Sequence, residues 1–198
     1  MHKWSLNFRL WHWLHATVIL GLLGTVFLRK TFLSWRANSE IIVNKLAEQD
    51  IHIAAVTAKG VAKAIRTPMW EWHILLGYGL AALVVWRIAL FFTASGKRNY
   101  LHLKEETLHK KAVKIGYLVI YGVIAFMALS GLVIHFYDTI GITKDTAHDI
   151  KELHELLYNA LLIFVPLHIV GVFVADATEE KGIVSDMING GEISETSR

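Results

Sequence analysis

Four histidines have the spacing to hold metal groups inside a membrane. His12 and His73 each lie at the beginning of an apolar stretch, and His154 and His168 lie 14 positions apart on another one. In an α-helix, residues 14 apart are ~21 Å apart along the axis and ~40° apart around it, so His154 and His168 share one face at two depths. An ionisable side chain is costly within a membrane and usually has a specific partner, so this pattern predicts two ligand sites.

The sequence predicts one histidine pair near each membrane surface. In a bundle whose helices run alternately up and down, His12 comes level with His168, and His73 with His154. A bare zinc or iron ion requires three or four protein ligands, and neither pair has an Asp or Glu in the apolar stretch at its depth. A porphyrin supplies four nitrogens and leaves two axial positions. The pattern therefore predicts two non-covalently held b haems with bis-histidine ligation.

Two arginines are candidates for binding haem propionates. Arg87 lies 14 positions after His73, at the predicted depth of the other histidine pair, and Arg9 lies one turn before His12. For Arg87 the alternative is that its long side chain extends to the cytoplasmic interface. We expect Arg87 to be the stronger candidate of the two.

Two more residues near the predicted ligands bear on the site. His15 lies one turn deeper than His12 and is the alternative ligand of the first span. Gly77, one turn after His73, is expected to let a flat macrocycle approach the backbone. Trp11, next to His12, belongs to a group of aromatic residues that predicts an interfacial belt.

The composition is that of an integral membrane protein. The 198 residues are 54% hydrophobic and 19% charged, with a mean hydropathy of +0.42, outside the range of ordinary soluble domains. The absence of cysteine excludes disulfides, thiolate metal sites, iron–sulfur clusters and covalent CxxCH haem attachment. The net charge of +3 comes from basic residues beside apolar runs. That placement fits membrane orientation and argues against a nucleic-acid partner.

Four apolar stretches predict an all-α membrane protein, an up-down-up-down four-helix bundle that encloses both haems. Each stretch is close to the twenty or so residues that cross a bilayer. We expect a single domain over 1–198, with an extended periplasmic linker over about 29–69 that forms two short amphipathic helices. The expected spans are at about 10–28, 70–94, 113–137 and 153–176.

Lysine and arginine near the span ends predict that both termini are cytoplasmic. The basic residues of the second linker lie on the same predicted side as those before the first span. Further basic residues in the 29–69 linker weaken this signal. The residues that carry the prediction are Lys3, Arg9, Lys97, Arg98, Lys104, Lys110, Lys111 and Lys181.

These residues resemble a known family, the bacterial cytochrome b561 type, together with the related di-haem b subunits of nickel hydrogenases and formate dehydrogenases. The resemblance covers all four spans and implies an inner-membrane cytochrome with His12, His73, His154 and His168 as haem ligands. It also implies electron transfer between the quinone pool and a redox partner. The matching motifs are Arg9-Leu-Trp-His12-Trp13, His73-x3-Gly77 followed by Arg87, Gly116-Tyr-Leu-Val-Ile-Tyr121, and Lys151-Glu-Leu-His154 followed by His168.

The expected function is electron transfer by a lipid-embedded subunit, and six-coordinate iron favours this over oxygen chemistry. The redox partner is a periplasmic c-type cytochrome or a catalytic subunit of a hydrogenase or another dehydrogenase. Whether the chain is itself a quinone-linked oxidoreductase stays open. One alternative is a stand-alone superoxide:quinone oxidoreductase. This alternative is disfavoured because the chain has Tyr117 and Ala175-Asp176 at positions where some family members have histidines. The other is a histidine-lined metal transporter, which the shortage of acidic residues in the spans disfavours.

Overall fold

The computed structural model of the protein describes residues 4–92, 108–178 and 180–190. Within these ranges the chain is all-helical and contains no strand, which confirms the predicted fold class. The predicted end of the second span at 93–94 and several residues used to predict orientation, Lys3, Lys97, Arg98 and Lys104, lie outside the described residues. The helices are α1 (Leu6–Lys30), α2 (Trp35–Ala47), α3 (Ala55–Ile65), α4 (Thr67–Phe91), α5 (Leu108–Phe136), α6 (Lys144–Ala177) and α7 (Ile183–Asn189).

Four helical segments are long and apolar enough to cross a membrane, so the chain is a multi-pass membrane protein. They overlap the four expected spans. The second segment combines α3 and α4, which are separated by a turn at Arg66. The segments are Leu6–Lys30, Ala55–Phe91, Val113–Phe136 and Lys144–Ala177.

Helix α6 begins at Lys144, well before the apolar span expected from residue 153 onward. The Thr143 hydroxyl accepts a hydrogen bond from the Thr146 amide at 3.2 Å and so caps the first turn. Along the following turns, opposite charges lie four residues apart, as in the Lys151–Glu155 pair at 3.5 Å. A polar helical extension therefore precedes the apolar part of α6.

The chain divides into two compact units. The first comprises residues 1–17 and 80–198. Within it, α5 packs against α6 and α6 packs against α7. Its buried apolar side chains are Trp11, Leu80, Leu83, Ile124, Ala128, Ala147, Tyr158 and Leu161.

The second unit comprises residues 18–79, and here α2 packs against α3. The side chains of Ala58 and Ala62 are fully buried, and their spacing of four places both on one face of α3. Trp35 at the start of α2 packs against cations of α3, with the Lys59 ammonium 4.7 Å from its ring centroid. These two helices occupy the linker in which the sequence predicts short amphipathic helices.

Candidate functional site

His12 of α1 and His168 of α6 lie together in the first unit. Their ring centroids are 6.3 Å apart and their planes are inclined by 61°. Two imidazoles bound on opposite sides of one iron would have centroids about 6 Å apart, because each metal–nitrogen bond is about 2 Å. The structure thus brings this sequence-predicted pair to the separation of two axial ligands.

The metal-ligating side chains near these histidines suit an iron that already has most of its ligands from a porphyrin. Within the described ranges, no three His, Cys, Asp or Glu side chains come together where they could hold a metal ion. A bare zinc or iron ion requires three or four such ligands. A pair of imidazoles is, by contrast, what a b haem needs from a protein.

The His168 ring is flanked by two aromatic side chains of its own unit. Phe164, one turn earlier in α6, stacks on it with centroids 5.6 Å apart and planes inclined by 14°. From α5, the Tyr117 hydroxyl lies 3.4 Å from Nδ1 of His168. Such outer partners orient a ligand imidazole. The sequence analysis placed Tyr117 in the motif Gly116–Tyr121 and noted it as a position where some family members have histidine, but it did not predict a contact with His168.

His15, the alternative ligand on α1, lies in a different environment. Its side chain is 7% exposed and stacks on Trp11, with ring centroids 4.7 Å apart and planes inclined by 20°. Among the described residues, its Nε2 atom has no hydrogen-bond partner. His12, one turn earlier, is the histidine of this helix whose ring lies beside that of His168.

Trp11 holds the beginning of α1 to α4 within the first unit. Its side chain is 2% exposed, and its indole N–H donates a 2.8 Å hydrogen bond to the Leu83 carbonyl. The interfacial belt expected for Trp11 is therefore wrong, since a belt residue presents its polar edge to the headgroups and this indole is buried. The sequence feature that could have indicated a role for Trp11 near the site is its position next to His12.

Arg87 is surrounded by aromatic rings in the same unit as His12 and His168. Its guanidinium carbon lies 5.1 Å from the Tyr121 ring centroid and 5.4 Å from those of Phe8 and Trp11. Aromatic faces stabilise a cation that has lost water. Binding of a propionate by Arg87 stays a prediction.

Arg9 contacts the C-terminal helix α7. Its guanidinium donates a 3.1 Å hydrogen bond to the Ile188 carbonyl, and the Trp13 indole donates one of the same length to the Met187 carbonyl. Last-turn carbonyls have no partner within their own helix and favour a cation. Gly190 follows with φ 93°, and a Cβ there would lie 3.1 Å from the guanidinium. The sequence did not predict α7, and a propionate role for Arg9 stays a prediction.

His73 lies in the second unit, near the beginning of α4. Its Nδ1 is 2.7 Å from the hydroxyl of Thr25 on α1, which is 8% exposed. One turn later, a Cβ built on Gly77 would meet no atom within 4 Å, so no described neighbour requires glycine at that position. The sequence predicted His73 as a ligand and missed Thr25.

His154 has a similar partner in the first unit. Its Nδ1 lies 2.8 Å from the hydroxyl of Ser130 on α5, which is 3% exposed. A Cβ on the adjacent Gly131 would lie 3.6 Å from His154 Cε1, at ordinary contact distance. The sequence missed Ser130 for the same reason as Thr25, because a single hydroxyl in an apolar run is common in membrane helices.

Comparison with known proteins gives one family match. The model of the prokaryotic cytochrome b561 family matches residues 3–190. No curated protein and no solved structure matches the chain. Because the family match extends over nearly the whole chain, the protein belongs to the prokaryotic cytochrome b561 family and is a membrane cytochrome of the b type that takes part in electron transfer.

Proposed function

We propose that this cytochrome transfers electrons between a membrane quinone and a redox partner protein through two b haems. The observation that carries the proposal is the 6.3 Å separation of the His12 and His168 rings. That distance suits two axial ligands of one iron. Membership in the cytochrome b561 family supports the same chemistry.

Two histidine pairs are the proposed axial ligands. His12 and His168 hold one haem, and His73 and His154 hold the other. The second pair is proposed from the sequence spacing alone. When bound, a b haem supplies an iron that gains and loses one electron at a time. The chain's own part is to fix the imidazoles and to surround them with apolar side chains.

His12 is proposed in preference to His15. The His12 ring lies beside His168, whereas the His15 ring is stacked on Trp11. A bis-histidine site needs two imidazoles close to one iron, so the histidine that lies beside a second histidine is the better choice. His15 is proposed to pack against Trp11.

The propionates are proposed to interact with cationic side chains. Arg87 is the principal candidate, since its guanidinium lies among aromatic rings in the unit that contains His12 and His168. Arg9 is the second candidate, and its contact with Ile188 uses only part of its five N–H donors. Gly77 is proposed to let the second macrocycle approach α4.

The physiological setting is proposed from family membership and charge. We place the chain in the bacterial inner membrane with both termini cytoplasmic. The proposed partner is a periplasmic c-type cytochrome or the catalytic subunit of a hydrogenase or another dehydrogenase. A quinone in the surrounding lipid is the other reactant.

The test is the haem content of detergent-purified protein, measured by pyridine haemochrome assay and reduced-minus-oxidised spectra. We expect two low-spin b haems per chain. His12→Ala and His168→Ala should each remove the same haem, and His73→Ala and His154→Ala the other. His15→Ala is the matched control on α1, and this variant should keep both haems.

Three outcomes would contradict the proposal. A chain without haem, after expression with adequate haem supply, would exclude electron transfer through haem. Loss of one shared haem on substituting His12 and His154 would overturn the pairing. Superoxide-dependent reduction of quinone by the purified chain alone, with no need of a partner protein, would support the oxidoreductase alternative instead.

A further inference from the structure

Two buried hydroxyl groups contact proposed haem ligands in the same way. The buried polar side chains of the described residues are His15, Thr25 and Ser130. Thr25 lies 2.7 Å from Nδ1 of His73, and Ser130 lies 2.8 Å from Nδ1 of His154. The two hydroxyls lie on different helices and in different units, so the arrangement occurs twice independently.

The Thr25 contact has a defined direction. A hydroxyl has one proton to donate. Thr25 donates it to the Leu22 carbonyl, three residues earlier in α1, at 2.6 Å. Its oxygen therefore accepts at the 2.7 Å contact, and Nδ1 of His73 carries the hydrogen. Because a neutral imidazole has a single N–H, its lone pair lies on Nε2.

The same reasoning applies to Ser130. Its hydroxyl donates to the Met127 carbonyl, also three residues earlier in its own helix, at 3.3 Å. In the proposed arrangement the oxygen accepts from Nδ1 of His154, which lies 2.8 Å away. Since Ser130 is only 3% exposed, bulk water does not compete for this contact. This arrangement would hold His154 in the form whose Nε2 has the lone pair, as Thr25 does for His73.

We propose that Thr25 and Ser130 are positioning residues that fix the tautomer and ring orientation of His73 and His154, so that each binds haem iron through Nε2. This inference rests on the proposed function, which makes the two histidines ligands. An acceptor at Nδ1–H makes an imidazole a stronger electron donor through Nε2 and thereby favours oxidised iron. The two hydroxyls thus lower the midpoint potential of the haem that these histidines bind.

The test compares variants that remove each hydroxyl with variants that keep it. Thr25→Val and Ser130→Ala remove the acceptor, whereas Thr25→Ser and Ser130→Thr retain it. In redox titrations of the purified haem-loaded protein, Thr25→Val and Ser130→Ala should each raise the midpoint potential of the same haem. They should also weaken its binding roughly 10-fold or more, measured as haem transfer to apomyoglobin. The hydroxyl-retaining variants should stay close to the wild-type values.

Matched controls come from hydroxyls that bond only to a backbone carbonyl. Thr17 on α1 donates to the Trp13 carbonyl at 2.9 Å, and Ser39 on α2 donates to the Arg36 carbonyl at 2.9 Å. Thr17 is exposed and Ser39 is partly exposed, and neither hydroxyl is hydrogen-bonded to a histidine among the described residues. Thr17→Val and Ser39→Ala should leave both potentials and both haem-release rates unchanged.

The outcomes separate this inference from the proposed function. Suppose that His73→Ala and His154→Ala each remove a haem while Thr25→Val and Ser130→Ala match the wild type. The positioning role is then wrong, and the assignment of the two histidines as ligands is retained. If the histidine variants keep both haems, the ligand assignment itself is wrong. If Thr25→Val loses its haem completely, recovery in Thr25→Ser supports the proposal, and failure to recover overturns it.

Discussion

The Ile188 carbonyl accepts a 3.1 Å hydrogen bond from Arg9, 179 positions away along the chain. With the Trp13 indole on the Met187 carbonyl, this contact holds the seven-residue helix α7 against the beginning of α1. So short a helix is marginal by itself, and it depends on such partners for its last turn.

We therefore expect Arg9→Ala to loosen α7. Loss of one hydrogen bond at this helix end should speed amide exchange over residues 183–190 about fivefold, as measured by hydrogen–deuterium exchange mass spectrometry. Trp13→Phe should act in the same direction. Lys45→Ala removes an exposed cation of α2 and serves as the control. Unchanged exchange in the Arg9 variant would show that α7 is held by other contacts.

Trp11→Phe should destabilise the fold more than Trp13→Phe does. The Trp11 indole is 2% exposed and donates a second hydrogen bond to the Leu83 carbonyl, so Trp11→Phe removes a buried hydrogen bond worth about 0.5–1.5 kcal/mol and leaves a gap where the larger ring packed. Trp13 is 46% exposed and its hydrogen bond to the Met187 carbonyl is exposed too, so the loss of that bond costs less. The free energy of unfolding, measured by denaturant titration in detergent micelles, distinguishes the two. Equal losses would contradict a structural role for the Trp11 bond.

Arg87→Gln should lower the midpoint potential of the haem held by His12 and His168 more than that of the other haem. The substitution removes a positive charge from the unit containing both histidines, and this favours oxidised, more positively charged iron. Separate redox titration of the two haems measures the effect, with Arg87→Lys as the charge-retaining control. Equal shifts of both potentials would instead indicate an arginine that extends to the membrane surface.

Tyr117→Phe should raise the potential of the His168 haem by less than Ser130→Ala raises that of the His154 haem. The Tyr117 hydroxyl is 3.4 Å from its histidine, at the limit of a hydrogen bond, whereas Ser130 is at 2.8 Å. Tyr117 is also 37% exposed, whereas Ser130 is 3% exposed, so the tyrosine contact is less enclosed by the protein. The same redox titration compares the two shifts. A larger effect in the tyrosine variant would contradict the ranking by distance and burial.

The sequence predicted the approach of His12 to His168 because helix periodicity and alternating span direction determine which residues come level. It did not predict Thr25 or Ser130. A hydroxyl in an apolar helix bonds to its own backbone, as both do with the carbonyl three residues earlier, so its type and position look the same with or without a histidine beside it.

Two further differences have similar physical causes. The sequence placed Trp11 in an interfacial belt because hydropathy alone does not distinguish an indole at a membrane surface from one buried against a carbonyl. It began the fourth span near residue 153 because the preceding turns are charged. The helix nevertheless begins at Lys144, since a threonine cap and ion pairs stabilise its charged first turns.

The length of α6 has a mechanical consequence. Its 34 residues make a rod of ~51 Å, well beyond the ~30 Å of a bilayer's hydrocarbon core. The charged turns after Thr143 therefore project into the headgroup layer, while His154 and His168 lie further along the same rod. Pro166 interrupts the backbone hydrogen bonds of this helix between the two histidines, so a tilt of the projecting end acts on His154 more directly than on His168. By reciprocal linkage, whatever fixes the His154 ring also stiffens the projecting end.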